Sequence, residues 1–367
     1  MREKAASLDV ALDAAVASVV PVSARPAGVA AFPEVPREIV VPKVLCICAR
    51  DGLKRRVARA LIACGAEPVF AADAEQALAL GRTQPFVVVL VDIGADASMD
   101  VHQFESLWRK DTSGHGPSVL ILSRVRQEER LIQLLSSVEA RNLIATHERS
   151  QGEAPILDEH ELMVTCHKLI RHDLFGIDKY LSFVGARVHG AAITRADDRD
   201  VLVERLSVFA RSLEVGAELE QRIANITDEL ITNAVYNAPR GADGKPKYAH
   251  LDRRQKVILE PSEHALLQWG CDGRYLAVSA TDRFGSLRGE TVASYLTKCF
   301  RRGDDQIDTK AGGAGLGLYM AFNSVTQLVV NVQVGVRTEV IALFYIRSES
   351  RGFRRSGRSL NVFIDDR

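Results

Sequence analysis

The sequence predicts two folded units, an α/β doubly wound parallel sheet followed by an α+β sandwich with helices on one face of a mixed sheet. Three observations carry this. Between Lys43 and Thr146, short apolar runs alternate with amphipathic segments, the pattern of a parallel sheet covered on both faces. From Tyr180 to Ile346 the order becomes strand, two long helices, then strands. The chain has 367 residues, enough for two cores.

Residues 1–40 are read as a flexible tail. Pro21, Pro26, Pro33 and Pro36 punctuate an Ala/Val-rich stretch that has neither helical nor strand period, although the first twenty residues admit a short amphipathic helix. The first unit spans 41–148. Its expected strands are Val44–Cys48, Pro68–Ala71, Phe86–Val91 ending at Asp92, Ser118–Leu122 ending at Ser123, and Asn142–Thr146. Helices are expected between them at Gly52–Cys64, Ala74–Gly81, Val101–Lys110 and Gln127–Ser137. A linking segment, 149–178, contains a helix from about His160 to Leu174.

The second unit spans 179–350. It opens with one or two strands in Tyr180–Thr194, then a helix Asp198–Leu213 that places Val201, Leu202, Leu206, Phe209, Ala210 and Leu213 on one face. A second helix runs from Gly216 to Ala238, where Pro239 stops it. Strands follow at Gln255–Leu259, His264–Cys271 and Tyr275–Thr281. Then come a helix Gly289–Phe300, a polar loop Arg301–Ala311, a helix Leu316–Val325, and strands Leu328–Val334 and Glu339–Ile346. Residues 351–367 form a basic tail leading into an edge strand.

Composition narrows the classes of function. Lys plus Arg (47) equals Asp plus Glu (47), so no global field draws the chain to nucleic acid or anionic membrane. The apolar stretch Val10–Val22 is interrupted by Asp13, and no run approaches the ~20 apolar residues of a membrane helix. A cytoplasmic protein is therefore expected. The six cysteines, Cys46, Cys48, Cys64, Cys166, Cys271 and Cys299, lack CxxC spacing and read as reduced thiols. Cys46 and Cys48 fall on the same face of a strand.

Two segments carry chemistry. In Asp228-Glu-Leu-Ile-Thr-Asn-Ala234, a carboxylate (Glu229) and a carboxamide (Asn233) lie four residues apart on one helix face, and Asn237 extends the row. An acid there suits a base and an amide oxygen suits a hard cation; a solvated helix face is the plainer alternative. In Gly312-Gly-Ala-Gly-Leu-Gly-Leu318, bare backbone opens a helix, which suits phosphate.

Glu229-Leu-Ile-Thr-Asn233-Ala resembles the N-box of the GHKL ATPases, the superfamily of gyrase, histidine kinases, mismatch-repair ATPases and a heat-shock chaperone. Gly313-Ala-Gly315-Leu316-Gly317-Leu318 is similar to its second glycine box, Asp282-Arg-Phe-Gly285 to its first, and Gly335-Val-Arg-Thr338 to its last strand-opening motif. The resemblance implies a GHKL (Bergerat) α/β sandwich that binds Mg·ATP. It implies that Asn233 ligates Mg²⁺, with Asn237 in support, and that Glu229 orients or deprotonates the attacking group. It further implies that Asp282 accepts from the adenine amino group beside Gly285 and Thr338, and that Gly313, Gly315, Leu316 and Gly317 close on the triphosphate under a lid, 299–312, containing Lys310. Asp282-x-x-Gly departs from the family's Asp-x-Gly, with Phe284 where the glycine belongs; Asp282 as a turn-capping acid is the alternative. Helix, Gly216 turn and N-box helix in succession resemble the anti-sigma-factor serine kinases.

Residues 43–147 resemble a response-regulator receiver, with Asp92 at the phosphoacceptor position and Ser123 at the switch hydroxyl. The acidic pair after the first strand is replaced by Cys48-Ala49-Arg50, and the fifth strand lacks its usual lysine. The resemblance therefore implies a degenerate receiver that docks or dimerises, Asp92 being a candidate phosphoacceptor or a strand-end acid. Together these readings imply a signalling regulator that binds ATP and Mg²⁺ and phosphorylates or switches a protein partner, with a second copy of the chain as another candidate partner. A non-catalytic ATP-dependent scaffold is the main alternative. A histidine autokinase using His172 is the other, but too few residues separate His172 from Asn233 for a dimerisation hairpin.

Overall fold

In a computed structural model, which describes residues 41–93, 117–124, 140–146, 157–182, 186–253, 255–287, 321–346 and 357–366, the chain from Val41 onward forms one unit. The tail 1–40, the expected helices Val101–Lys110, Gln127–Ser137 and Gly289–Phe300, the loop Arg301–Ala311 and the start of the helix Leu316–Val325 lie outside these residues.

Strand β1 (Lys43–Ile47) is buried on both faces. Val44, Cys46 and Cys48 enter one core, while Leu45 and Ile47 enter another, which is the period-2 consequence of an apolar run with no polar side. Helix α1 (Asp51–Ala63) buries Leu53, Val57, Ala60 and Leu61, a single stripe. After β2 (Glu67–Ala71), the Asp73 carboxylate accepts from the Gln76 N–H and starts α2 (Ala74–Thr83). Strands β3 (Val88–Ile93), β4 (Ser118–Arg124) and β5 (Asn142–Thr146) complete a parallel set in the order β2-β1-β3-β4-β5. This is the order of doubly wound, flavodoxin-like sheets, so the first half is the doubly wound parallel sheet that was expected.

Helix α3 (Glu159–Arg171) begins where Asp158 accepts from the N–H groups of His160 and Glu161, and ends at His172 in the left-handed region (φ 58°). A 3₁₀ turn (Ile177–Tyr180) follows, and of the expected Tyr180–Thr194 strands β6 (Val188–Ile193) forms. Then come α4 (Asp198–Ser212), α5 (Ala217–Thr232), β7 (Ala265–Cys271), β8 (Tyr275–Asp282), β9 (Gln327–Gln333), β10 (Arg337–Tyr345) and β11 (Ser359–Asp365). The expected strand Gln255–Leu259 shortens to one bridge, Ile258 to Arg195, because Pro261 starts a 3₁₀ turn immediately after it.

All eleven strands among the described residues belong to one sheet, ordered β2-β1-β3-β4-β5-β11-β9-β10-β8-β7-β6. The parallel sheet and the mixed sheet expected as successive units are thus continuous, and the joint is β11. The expected edge strand is an interior one. It runs parallel to β9 over seven residue pairs, and antiparallel to β5 over two, Leu360 with Leu143 and Asn361 with Asn142. Ser359 and Asn361 gave it a half-polar pattern that reads as solvent-facing, yet both are buried. The Ser359 Oγ accepts from the Ala145 N–H at 3.0 Å, and the Asn361 Nδ2 donates to Glu161 at 3.3 Å. Both bonds cross the joint.

On one face a single core runs under α2, α4 and α5. On the other, α1 and α3 cover the first half, while Val164 of α3 joins the 3₁₀ turn over β8 to β11. Helix α3 therefore spans the joint. Its Lys168, wholly buried, donates to Asn331 Oδ1 (3.1 Å), and Asn331 donates to Glu339 on β10 (2.9 Å).

Candidate functional site

Helix α5 faces the sheet with Ile223, Ile226, Leu230 and Ile231 and packs over β8 and β10. At Asn233 the winding changes. Residues Asn233–Asn237 form a π turn, closed by the Ala238 N–H donating to the Asn233 carbonyl at 3.0 Å. Such widened turns recur at functional sites because the extra residue re-aims side chains. Here the row seen in the sequence becomes a hydrogen-bonded chain: Asn237 Nδ2 donates to Asn233 Oδ1 (2.7 Å), and Asn233 Nδ2 donates to Glu229 Oε1 (2.9 Å). The other Glu229 oxygen faces Arg253 Nη1 at 3.4 Å. Burial pushes the Glu229 carboxyl up, and Arg253 and Asn233 offset part of that rise. An acid held above its ordinary range is better able to take a proton.

Asp282 ends β8 opposite Thr338 in the β8/β10 ladder. Alternation puts both on the face of Ala280, Val278 and Ala342, the face that α5 covers. The Asp282 carboxylate accepts from the Phe284 N–H at 2.8 Å, so it caps its own turn, the alternative considered from sequence. Burial raises its pKa, and the N–H groups of Phe284, Gly285 and Thr338 pull the other way. A carboxylate has about four acceptor positions, so capping does not exhaust it. The Thr338 hydroxyl is close enough to favour the charged carboxylate, yet it is buried without a hydrogen bond of normal geometry. Gly285 has φ +54°, and a Cβ there would lie 2.0 Å from the Gln333 carbonyl oxygen and 2.6 Å from the Val336 N. The displaced glycine therefore lets the β9–β10 turn close on the Asp282 turn, where the Gly335 N–H donates to the Gly285 carbonyl at 3.1 Å.

In the first half Asp92 is buried at the end of β3. Arg50 grips it: Nη2 lies 2.6 Å from Oδ1 and Nε 3.0 Å from Oδ2. Cys48 Sγ is 3.8 Å from the same carboxylate, and its thiol is pushed up to about 11, by burial first and by Asp92 second. Arg50, just after β1, thus supplies the cation that balances the buried acid at the end of β3.

The structure thus joins Glu229, Asn233 and Asn237, sets Asp282 and Thr338 on the same face of the sheet with Gly285 in the turn that follows, and keeps Asp92 in a separate cluster. Lys310, Gly313, Gly315, Leu316 and Gly317 lie outside the described residues. Sequence reasoning missed Arg253, which sits in no motif, and Tyr236, whose hydroxyl donates to the carbonyls of Arg253 (3.1 Å) and Gln255 (2.8 Å). A tyrosine between the two asparagines of the row was the available signal. Among the described residues no group of three His, Cys, Asp or Glu side chains could hold a metal, and no helix is long and apolar enough to cross a membrane.

No protein-family model and no curated protein matches the chain. Solved structures do. The chemotaxis response regulator CheY4 of Vibrio cholerae is 20% identical, over 35% of this chain and 98% of that one, with a TM-score of 0.28. A response regulator from Thermotoga maritima is 16% identical, over 36% and 99%, with a TM-score of 0.28. The signal receiver domain of an HD domain-containing protein from Pseudomonas fluorescens Pf-5 is 15% identical, over 38% and 93%, with a TM-score of 0.30.

Proposed function

We propose that this chain is a signalling regulator whose second half binds Mg·ATP and uses it to phosphorylate or switch a protein partner, while the receiver-like half serves for docking. The observation that carries this reading is the hydrogen-bonded row Glu229–Asn233–Asn237, which runs from α5 into a π turn over the same sheet face as the half-buried Asp282 and the buried Thr338. The row offers an acid and an amide oxygen. Asp282 offers an acceptor and Thr338 a buried hydroxyl beside it, the hydrogen-bonding needs of an adenine edge. Asn233 Oδ1, with one lone pair left beyond its bond from Asn237, fits a hard cation that takes its other ligands from phosphate and water. Bound there, Mg²⁺ would neutralise charge on the phosphates.

Glu229 would take the proton of a partner's hydroxyl as that oxygen bonds to the terminal phosphorus and ADP leaves. Arg50 on Asp92 supports a docking role for the first half, because the carboxylate that receivers phosphorylate is here already neutralised by a side chain.

Titration calorimetry of the full chain with Mg·ATP tests the reading, alongside Asn233→Ala and Asp282→Asn. Wild-type binding that each variant weakens tenfold or more is expected, on the order of one charge-assisted contact or metal ligand. Absence of ATP binding by the wild-type chain overturns it.

A further inference from the structure

Arg253 is the cation against the Glu229 row, and most of its donors are unused. A guanidinium has five N–H donors. Among the described residues this one makes a single long hydrogen bond, to Glu229 Oε2 at 3.4 Å, and its side chain is 46% exposed. Arg199, which reaches the same helix at Asp228 (3.2 Å), is different: Asp200 also holds it at 3.2 Å. The backbone at Arg253 is anchored by the Tyr236 hydroxyl, which reaches the carbonyl of residue 253 at 3.1 Å and that of residue 255 at 2.8 Å. A fixed base with a weakly held, half-exposed fork is suited to exchanging one anion for another.

We propose that Arg253 is a positioning residue that reads the terminal phosphate of a bound nucleoside triphosphate, leaving Glu229 for it and so freeing Glu229 Oε2; this rests on the nucleotide reading above. Without nucleotide, Arg253 ties Glu229 to the 240–256 loop. A terminal phosphate carries more charge than a carboxylate and offers oxygens spaced for two parallel N–H bonds, whereas the pairing at 3.4 Å uses one. A diphosphate lacks that group and leaves the pairing in place. The site would then hold its base engaged until the phosphoryl donor is bound.

The test is calorimetric binding of Mg·ATP and Mg·ADP to the full chain, as wild type, Arg253→Ala, Arg253→Gln and Arg253→Lys. The expected result is tighter binding of ATP than ADP by wild type, on the order of a tenfold loss of ATP affinity in Arg253→Ala and Arg253→Gln with the ADP affinity within about twofold, and partial recovery in Arg253→Lys. Equal losses for both nucleotides, or an unchanged ATP-to-ADP ratio, overturn the phosphate-reading role while leaving the nucleotide site standing. Failure of the wild-type chain to bind either nucleotide overturns both.

Discussion

Replacing Lys168 by Met should unbalance the buried network that ties α3 to the second half of the sheet. Lys168 and Asn331 are each 0% exposed and Glu339 is 2% exposed. The ammonium donates to Asn331 and lies 4.6 Å from the Tyr180 ring centre and 4.9 Å from that of Phe363. Glu339 accepts from Asn331 and from the Gly176 N–H at 3.0 Å. Removing one partner of such a buried pair leaves an uncompensated charge and costs about 3–5 kcal/mol. Glu339→Gln alone should cost a similar amount, because the ammonium is then unbalanced. Lys168→Met with Glu339→Gln leaves no buried charge, and should cost less than the sum of the single changes by about 2 kcal/mol. Urea midpoints at constant slope, taken below pH 7 where Lys168 keeps its proton, measure all three. Effects that add within about 0.5 kcal/mol would show that the two groups are not coupled.

The same network predicts a pH dependence. Burial pushes the Lys168 ammonium down to about 7, against about 10.4 in an unfolded chain. Between those values the unfolded chain keeps a proton that the folded one has lost, so this group's contribution to stability rises with pH, by at most about 1.4 kcal/mol per unit, and falls away as pH drops through 7. Lys168→Met should flatten that slope.

Gly285→Ala should destabilise by about 2 kcal/mol or more, since it combines a left-handed backbone with a Cβ 2.0 Å from a carbonyl oxygen; a midpoint within 0.5 kcal/mol of wild type in urea would refute the close approach. Arg50→Ala should cost about 3–5 kcal/mol by stranding the buried Asp92 carboxylate, and adding Asp92→Asn should restore much of it; thermal or urea unfolding that shows no recovery in the double variant would refute the ion pair's role.

Much of this fold is written locally. The runs Val44–Cys48 and Val88–Val91 are apolar at every position, which sets them inside a parallel sheet before any partner is known. Four-residue spacing placed Glu229, Asn233 and Asn237 on one helix stripe, and the structure links them by hydrogen bonds. Spacing did not reveal the π turn, which depends on how α5 meets β8 and on the turn before Pro239. Nor did it show that Asp282-x-x-Gly285 is shaped by the β9–β10 turn, a contact across about fifty residues.

The sequence by itself determined most of the described helices and strands, their order and the stripe that carries the candidate base, because each follows from side chains within a few residues of one another. Only the tertiary structure decided that Ser359–Asp365 is the interior strand joining two sheets into one, that Arg50 neutralises Asp92, and that Arg253 faces Glu229. Those contacts pair residues from 24 to more than 200 positions apart, and a half-polar strand or a lone arginine has the same local pattern whether its partner is water or a distant carboxylate.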